Sequence, residues 1–161
     1  MALNDSISLV KKQLKETWLL TTDFNLVLAE LGNTLGVTFA TPALVYPHER
    51  AVPPELFPAA ELLGIESLPF GESLAQQYNH TIDVLWLVNG DDEPTIVQHV
   101  EALVLATRRL SFRKTLVMPD GTTAPVIPGR EDYGPLTQST RTALPLVKAA
   151  RIRLVIPTYT V

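Results

Sequence analysis

The chain has 161 residues, of which 46% are hydrophobic and 19% are charged, with a net charge of −4 and no cysteine. This length and hydrophobic content predict a single folded domain with a sizeable core and argue against a disordered chain. The lack of cysteine excludes disulfides, thiolate nucleophiles and cysteine-bound zinc, and the negative charge argues against tight wrapping of nucleic acid. Without an apolar run of about 18 residues or a signal-like N-terminus, we expect an intracellular protein with no membrane partner.

Two helices are predicted in the N-terminal part of the chain. Helical spacing of apolar residues predicts the first over residues 6–20, with lysines on its solvent face. The same spacing predicts a second helix from Phe24 to Leu35, which should end at Gly36 because glycine is the usual residue just past a helix end.

A proline-rich segment follows a short strand predicted over residues 43–46. Six prolines between Pro42 and Pro69 predict irregular, stiff loops, and the stretch from Pro47 to Gly71 is also rich in large apolar side chains. Long ordered loops are often functional, so we expect this stretch to form a contact surface. The residues predicted to make the contact are Leu56, Phe57, Leu63 and Phe70.

The clearest pattern in the sequence is a strand, an acidic turn and a helix between Gln77 and Leu110. Residues 77–88 alternate between two faces as in a β-strand, and the sequence NGDDEP predicts a turn with Pro94 at the first helical position. The helix that follows carries one apolar stripe, which should be buried. The stripe comprises Ile96, Val97, Val100, Leu103, Val104 and Leu110.

The C-terminal third is predicted to contain a hairpin and a long strand. Two β-prone runs flank Pro119-Asp120-Gly121, which predicts a hairpin with Met118 and Asp120 as contact residues. The run PGREDYGP that follows is interpreted as a polar loop. In the last strand Arg151 and Arg153 share the face opposite the apolar residues, where they line either a subunit contact or a solvent face.

These elements together predict an α+β fold with one domain over residues 1–161. In it, a mainly antiparallel sheet packs against two or three helices, and the β-hairpin projects from the sheet.

No catalytic, metal-binding or cofactor-binding pattern stands out in the sequence. The histidines His48, His80 and His99 lack metal-ligand spacing, and phosphate-binding glycine loops and nucleophile elbows are absent. A basic cluster at the end of the long helix is interpreted as a solvated helix end, with phosphate contact as the alternative. It comprises Arg108, Arg109, Arg113 and Lys114. We therefore predict that the protein is not an enzyme and uses no cofactor or metal.

In the order of its segments and in their residue patterns, the chain resembles the tail terminator, or tail completion, proteins of long-tailed bacteriophages. Three stretches carry the resemblance. The first is PALVYPHE after the N-terminal helices, the second is HTIDVLWLVNGDDEPTIVQHVEALVLATRRL, and the third is the late segment KAARIRLVIP.

The resemblance implies a structural protein of the virion neck, assembled in the host cytoplasm. Members of this family form a ring, usually a hexamer, that ends polymerisation of the tail tube and joins the tail to the head-completion or connector protein. DNA passes through the ring without specific binding. Two alternatives remain at this stage: a head-completion or connector protein of the neck, and a small ligand-binding or enzymatic α+β domain.

Overall fold

The computed structural model describes residues 6–19, 21–39, 42–46, 58–70, 76–90, 93–135 and 146–160. The helices are α1 (Ile7–Gln13), which continues as a π-helical turn (Leu14–Trp18), α2 (Thr21–Leu35) and α3 (Glu93–Arg113). The strands are β1 (Leu44–Tyr46), β2 (Ala59–Phe70), β3 (Gln76–Gly90), β4 (Leu116–Val117), β5 (Thr123–Ala124), β6 (Ile127–Pro135) and β7 (Leu146–Thr160).

Five of the strands form one sheet in the order β1-β2-β3-β7-β6. β1 runs parallel to β2, and the other neighbouring pairs are antiparallel. β3 and β7, each 15 residues long, pair along their whole length and form the centre of the sheet. The predicted α+β class and the mainly antiparallel sheet are therefore confirmed.

The three helices lie against the same face of the sheet. Phe24 of α2 stacks on Trp86 of β3 with ring centroids 4.7 Å apart, and the indole N–H of Trp86 donates to Thr107 Oγ1 of α3 at 2.8 Å. On the same face, a Cβ placed on Gly64 of β2 would come within 3.0 Å of Ile7 of α1. The core between the two layers contains both tryptophans, which are fully buried.

The end of α2 shows why the predicted stop at Gly36 is correct. Gly36 adopts a φ of 70°, and the N–H of Val37 donates to the carbonyl of Gly32 at 3.0 Å. This is the bond pattern of a Schellman C-cap, in which a left-handed residue turns the chain away from the helix axis. Gly32 is also required here, because a Cβ at this position would lie 2.4 Å from the Val37 carbonyl oxygen.

The interpretation of residues 47–71 as loops was wrong for its second half. Residues 59–70 form β2, an internal strand of the sheet whose Leu62 is fully buried, while residues 47–57 lie outside the described part of the chain. Prolines near both ends and a β-bulge between Gly64 and Glu66 interrupt the alternation of this strand. Because the bulge shifts the side-chain pattern by one residue, no clean period of two is visible in the sequence.

The interpretation of PGREDYGP as a loop was also wrong. It forms most of β6, an edge strand paired with β7. The strand contains Pro128 and Pro135, which give it the composition of a loop. A second bulge, between Pro128 and Glu131, interrupts its alternation. Proline and bulges are tolerated on an edge strand, where one side of the backbone needs no partner strand.

α3 begins at Glu93, one residue before Pro94, and extends three residues beyond Leu110. Five residues of the predicted apolar stripe are buried, but Val97 is 39% exposed. Ala102 and Ala106 are fully buried, so the buried arc of the helix is rotated towards them and leaves Val97 at its edge. None of the described helices is both long and apolar enough to cross a membrane.

The predicted hairpin forms as a small, separate two-stranded sheet of β4 and β5. Its turn is closed by Gly121, which has a φ of 87° and donates its N–H to the Met118 carbonyl at 2.9 Å. The inward residues Leu116, Met118 and Ala124 are buried in the core. The base of the hairpin is therefore fastened to the body of the protein, with its turn exposed.

Candidate assembly surface

The face of the sheet opposite the helices carries the most ordered group of charged side chains. On this open face the register places Leu63 of β2, Asp83 of β3 and Arg153 of β7 directly side by side across three strands. Side chains that are adjacent across strands lie about 4.5–5.5 Å apart at Cβ, so these three groups form one continuous patch.

Asp83 lies at the centre of this patch, and its side chain has no exposed surface. Arg153 donates twice to it, from Nε to Oδ1 at 2.9 Å and from a terminal nitrogen to Oδ2 at 3.2 Å. Arg151 adds a second ion pair, with its Nε 3.7 Å from Oδ2. A buried carboxylate is tolerated only when it is paired and hydrogen-bonded, and the two arginines meet that requirement.

The same contacts fix the charge and direction of the arginines. The hydrogen bond to Asp83, followed by the negative charge of Asp83, raises the pKa of Arg153 above its usual value. Both arginine side chains remain 40–45% exposed. One carboxylate pairs with two guanidinium groups, so both arginines are held in a fixed geometry.

The open face continues on to β6 with a third ion pair. Asp132 lies opposite Arg151 in the register and accepts from Arg130 Nε at 3.0 Å. Glu66 of β2 lies close enough to Arg153 to raise its pKa further. Positive and negative groups therefore alternate across the exposed part of this face, as in many protein–protein contact surfaces.

The structure brings together three of the eight residues predicted to make contacts. Leu63, Arg151 and Arg153 lie around Asp83 on the open face.

The other predicted contact residues lie elsewhere. Met118 is only 2% exposed, so the prediction that it forms a contact surface was wrong: it faces inward from the hairpin and fills the core. Asp120 is exposed at the hairpin turn, where its carboxylate accepts from the backbone N–H of Thr122 at 3.0 Å. Phe70 is the last residue of β2, and Leu56 and Phe57 lie outside the described residues.

Asp83 itself was missed by sequence reasoning. It stood out only as an acid within an otherwise uncharged run of β3. A charge in the middle of a long strand is a usable signal, because it must find an opposite charge on a neighbouring strand. The partner was not identifiable, since the pairing of β3 with β7 spans 70 residues of sequence.

The basic cluster at the end of α3 is largely neutralised by acidic partners. Arg108 pairs with Glu131 of β6, with Nε 2.6 Å from Oε1. The other pairs are Arg113 with Glu30 at 2.8 Å and Lys114 with Asp23 at 2.5 Å. These pairs tie α3 to α2 and to β6, so phosphate contact by this cluster is disfavoured.

Two of the three histidines have defined surroundings. His80 is fully buried, with Nδ1 2.6 Å from Ser67 Oγ and Nε2 2.9 Å from Thr158 Oγ1. His99 lies against Phe39 with ring centroids 4.6 Å apart, and burial lowers its pKa. His48 is outside the described residues. Among the described residues, no three histidine or acidic side chains come close enough to hold a metal ion.

A hollow of about 300 Å³ lies beside the end of α2. Its lining includes Asn25, Asn33, Val37 and Phe39, and none of the described residues that line it is ionisable. The sequence matches no protein-family model and is not significantly similar to any curated protein.

Proposed function

We propose that this chain is a structural protein of a bacteriophage virion and has no enzymatic activity. Copies of it assemble into a closed ring, a hexamer, at the head-proximal end of a long tail. The ring ends polymerisation of the tail tube protein and provides the surface to which the head-completion or connector protein binds. DNA passes through its lumen without specific binding. The protein is assembled in the host cytoplasm and remains in the neck of the virion.

The observation that carries this proposal is the open face of the sheet. Among the described elements, the helices pack on one side of β3 and β7, and the opposite side displays arginines held rigid by a buried aspartate. Arginine is enriched in protein interfaces, and a side chain already ordered in the free subunit loses less entropy on association. A surface that is ordered before contact is suited to permanent assembly.

The edge of the sheet supports side-chain contacts over strand addition. β6 ends the sheet on one side, and its prolines, its bulge and its charged residues Arg130 and Asp132 make it a poor template for another strand. These are the features by which natural sheets avoid edge-to-edge pairing. Subunits that meet through faces and helices can form a ring of limited size without the risk of continuous sheet growth.

The proposal is tested first on the purified full-length chain. Native mass spectrometry and negative-stain imaging should show closed rings of about six subunits. A monomer at every concentration, with saturable binding of a small molecule, would overturn the proposal.

The second test is genetic and uses a phage that encodes this chain. Loss of the gene should give tails of uncontrolled length and filled heads without tails, and expression of the wild-type chain in trans should restore virions. Normal-length tails joined to filled heads in the mutant would contradict the proposed role.

A further inference from the structure

A groove between α2 and α3 forms an apolar surface on the outside of the helical layer. It has a volume of about 370 Å³, and its lining includes Leu31, Leu35, Leu105 and Phe112. Phe112 is 76% exposed, Leu35 44% and Leu105 39%. Single exposed apolar residues are common, but several around one groove indicate a surface that another molecule covers.

The rim of this groove carries a positive charge. Arg109 lines the groove and is exposed. Within the described part of the chain it forms no salt bridge, whereas Arg108, Arg113 and Lys114 each do. An occupant of the groove should therefore combine an apolar side chain with a carboxylate.

A second apolar surface, the sheet-end patch, lies at one end of the open face. It consists of Ile65, Glu66, Leu68 and Tyr159. Ile65 is 45% exposed, Leu68 53% and Tyr159 60%. Leu68 lies beside Asn79 of β3, and Tyr159 lies beside Gln77 two residues away, so both flank the same end of the central strand. The β2 bulge contains Ile65, the residue left without a register partner.

The sheet-end patch has the chemistry that the groove requires. Its acidic residue, Glu66, forms no salt bridge with another described residue, although its charge acts on Arg153. The patch thus offers apolar side chains together with a carboxylate, and the groove offers an apolar surface together with a guanidinium group. The two surfaces lie on opposite sides of the sheet, so a single chain cannot bring them together.

We infer that the α2–α3 groove of one subunit receives the sheet-end patch of the next, with Phe112 against Leu68 and Arg109 against Glu66. This inference rests on the proposed ring and assigns the surfaces that close it. Two different surfaces meet, so the contact is heterologous, and repeated rotation closes a ring. A symmetric contact of two grooves would instead set Arg109 against Arg109.

The decisive experiment mixes two variants, each of which retains one surface. Phe112→Asp places a negative charge in the groove against Leu68 and near Glu66, and Leu68→Asp places a negative charge in the patch against Phe112, so the two mutated surfaces repel each other. Each variant alone should remain a monomer in analytical ultracentrifugation. An equimolar mixture should form a dimer and nothing larger, because only the patch of the first variant and the groove of the second remain intact.

A charge exchange tests the polar contact separately. Glu66→Arg and Arg109→Glu should each weaken assembly by about tenfold or more, and the double variant should recover most of the loss. Lys12→Glu is the matched control, since Lys12 is exposed on α1 and belongs to neither surface. It should assemble like the wild type.

The outcomes separate this inference from the proposed function. Rings formed by the wild type and also by both single variants would overturn the surface assignment and leave the ring proposal standing. A mixture that stays monomeric, or a dimer formed by either variant alone, would likewise overturn the assignment. A wild-type chain that never assembles would overturn the ring and the assignment together. Unchanged thermal unfolding of the variants should establish that the mutated residues act at the surface.

Discussion

One carboxylate orders the charged part of the open face. The Asp83 side chain is fully buried and receives two hydrogen bonds from Arg153 and an ion pair from Arg151. Desolvation of an isolated carboxylate costs several kcal/mol, so Asp83 persists at this position only because both guanidinium groups compensate for it. The arginines gain a fixed direction in return. Residue identity on β3 thus decides the geometry of a surface formed mainly by β7.

Replacement of Asp83 by asparagine should measure this coupling. Asp83→Asn keeps the shape and removes the charge, so the free energy of unfolding should fall by about 2 kcal/mol in urea denaturation. Asp132→Asn is the matched control, because that carboxylate is half exposed and pairs with the exposed Arg130. It should change stability by less than about 0.5 kcal/mol. If both changes lowered the free energy of unfolding by the same amount, burial of Asp83 would not strengthen its ion pairs.

His99 should make stability depend on pH. Its pKa is lowered from 6.5 by burial, so as pH falls the unfolded chain takes up this proton before the folded protein does. The contribution of His99 is therefore fully present above pH 6.5 and is lost as pH falls through the folded pKa. His99→Phe keeps an aromatic ring against Phe39 without the titrating group. Urea denaturation between about pH 7.5 and 5 should show a smaller loss of stability for this variant than for the wild type. Parallel curves of unfolding free energy against pH for the two proteins would show that His99 does not contribute to the pH dependence.

At the scale of secondary structure, burial decides which residues of an element matter. The prediction of α3 as a helix was correct, but its stripe was drawn too far towards Val97 because the buried alanines Ala102 and Ala106 were not counted. β2 and β6 were interpreted as loops because their prolines and polar residues outweighed their short apolar runs, and the bulges found in both strands obscure the period of two. Local composition reports a strand poorly when the strand is irregular or lies at an edge.

Two valines on α3 provide a paired test of its packing. Val100 is 3% exposed and Val97 is 39% exposed, three residues apart on the same helix. Val100→Asp buries an unpaired charge and should cost more than about 3 kcal/mol, enough to abolish soluble expression. Val97→Asp lies near the start of the helix, where a negative charge is favourable, and should express and melt close to the wild type. Normal expression of both variants would contradict the described packing of α3.

At the scale of the whole molecule, charges are distributed so that they cancel locally. The chain has a net charge of −4, and the basic residues at the end of α3 are mostly paired with acids from other elements. A protein that holds DNA by its phosphates needs lysines and arginines that are available to replace counterions. The proposed ring should instead offer few such free lysines and arginines, because DNA must pass through it without being held.

The assembled protein should therefore show no appreciable affinity for duplex DNA. Fluorescence anisotropy with a labelled duplex should give no saturable binding at about 10 µM protein in about 150 mM salt. Glu30→Lys with Asp23→Lys is an informative comparison, since it raises the net charge from −4 to 0 and frees Arg113 and Lys114. This variant should bind measurably at low salt. Binding by the wild type that weakens steeply with added salt would contradict the expectation.

The sequence by itself determined the elements whose signal is local. The period of two in β3 and β7, the helical period of α2 and α3, the stop at Gly36 and the hairpin turn at Gly121 each depend on residues within one element or turn. From them the α+β class and the antiparallel sheet follow. Hydrophobic periodicity is a property of neighbouring residues, so it can be read without knowledge of the partners.

Only the tertiary structure decided which strands are neighbours and what each face carries. The placement of β7 beside β3 brings Arg151 and Arg153 over Asp83, and the placement of β2 on the other side of β3 adds Leu63 and Glu66 to the same face. The packing of α2 on α3 likewise creates the groove around Phe112. Strand order and helix packing join residues far apart in the chain, and no local period records such a pairing. The surfaces proposed for assembly therefore became visible only in the folded protein.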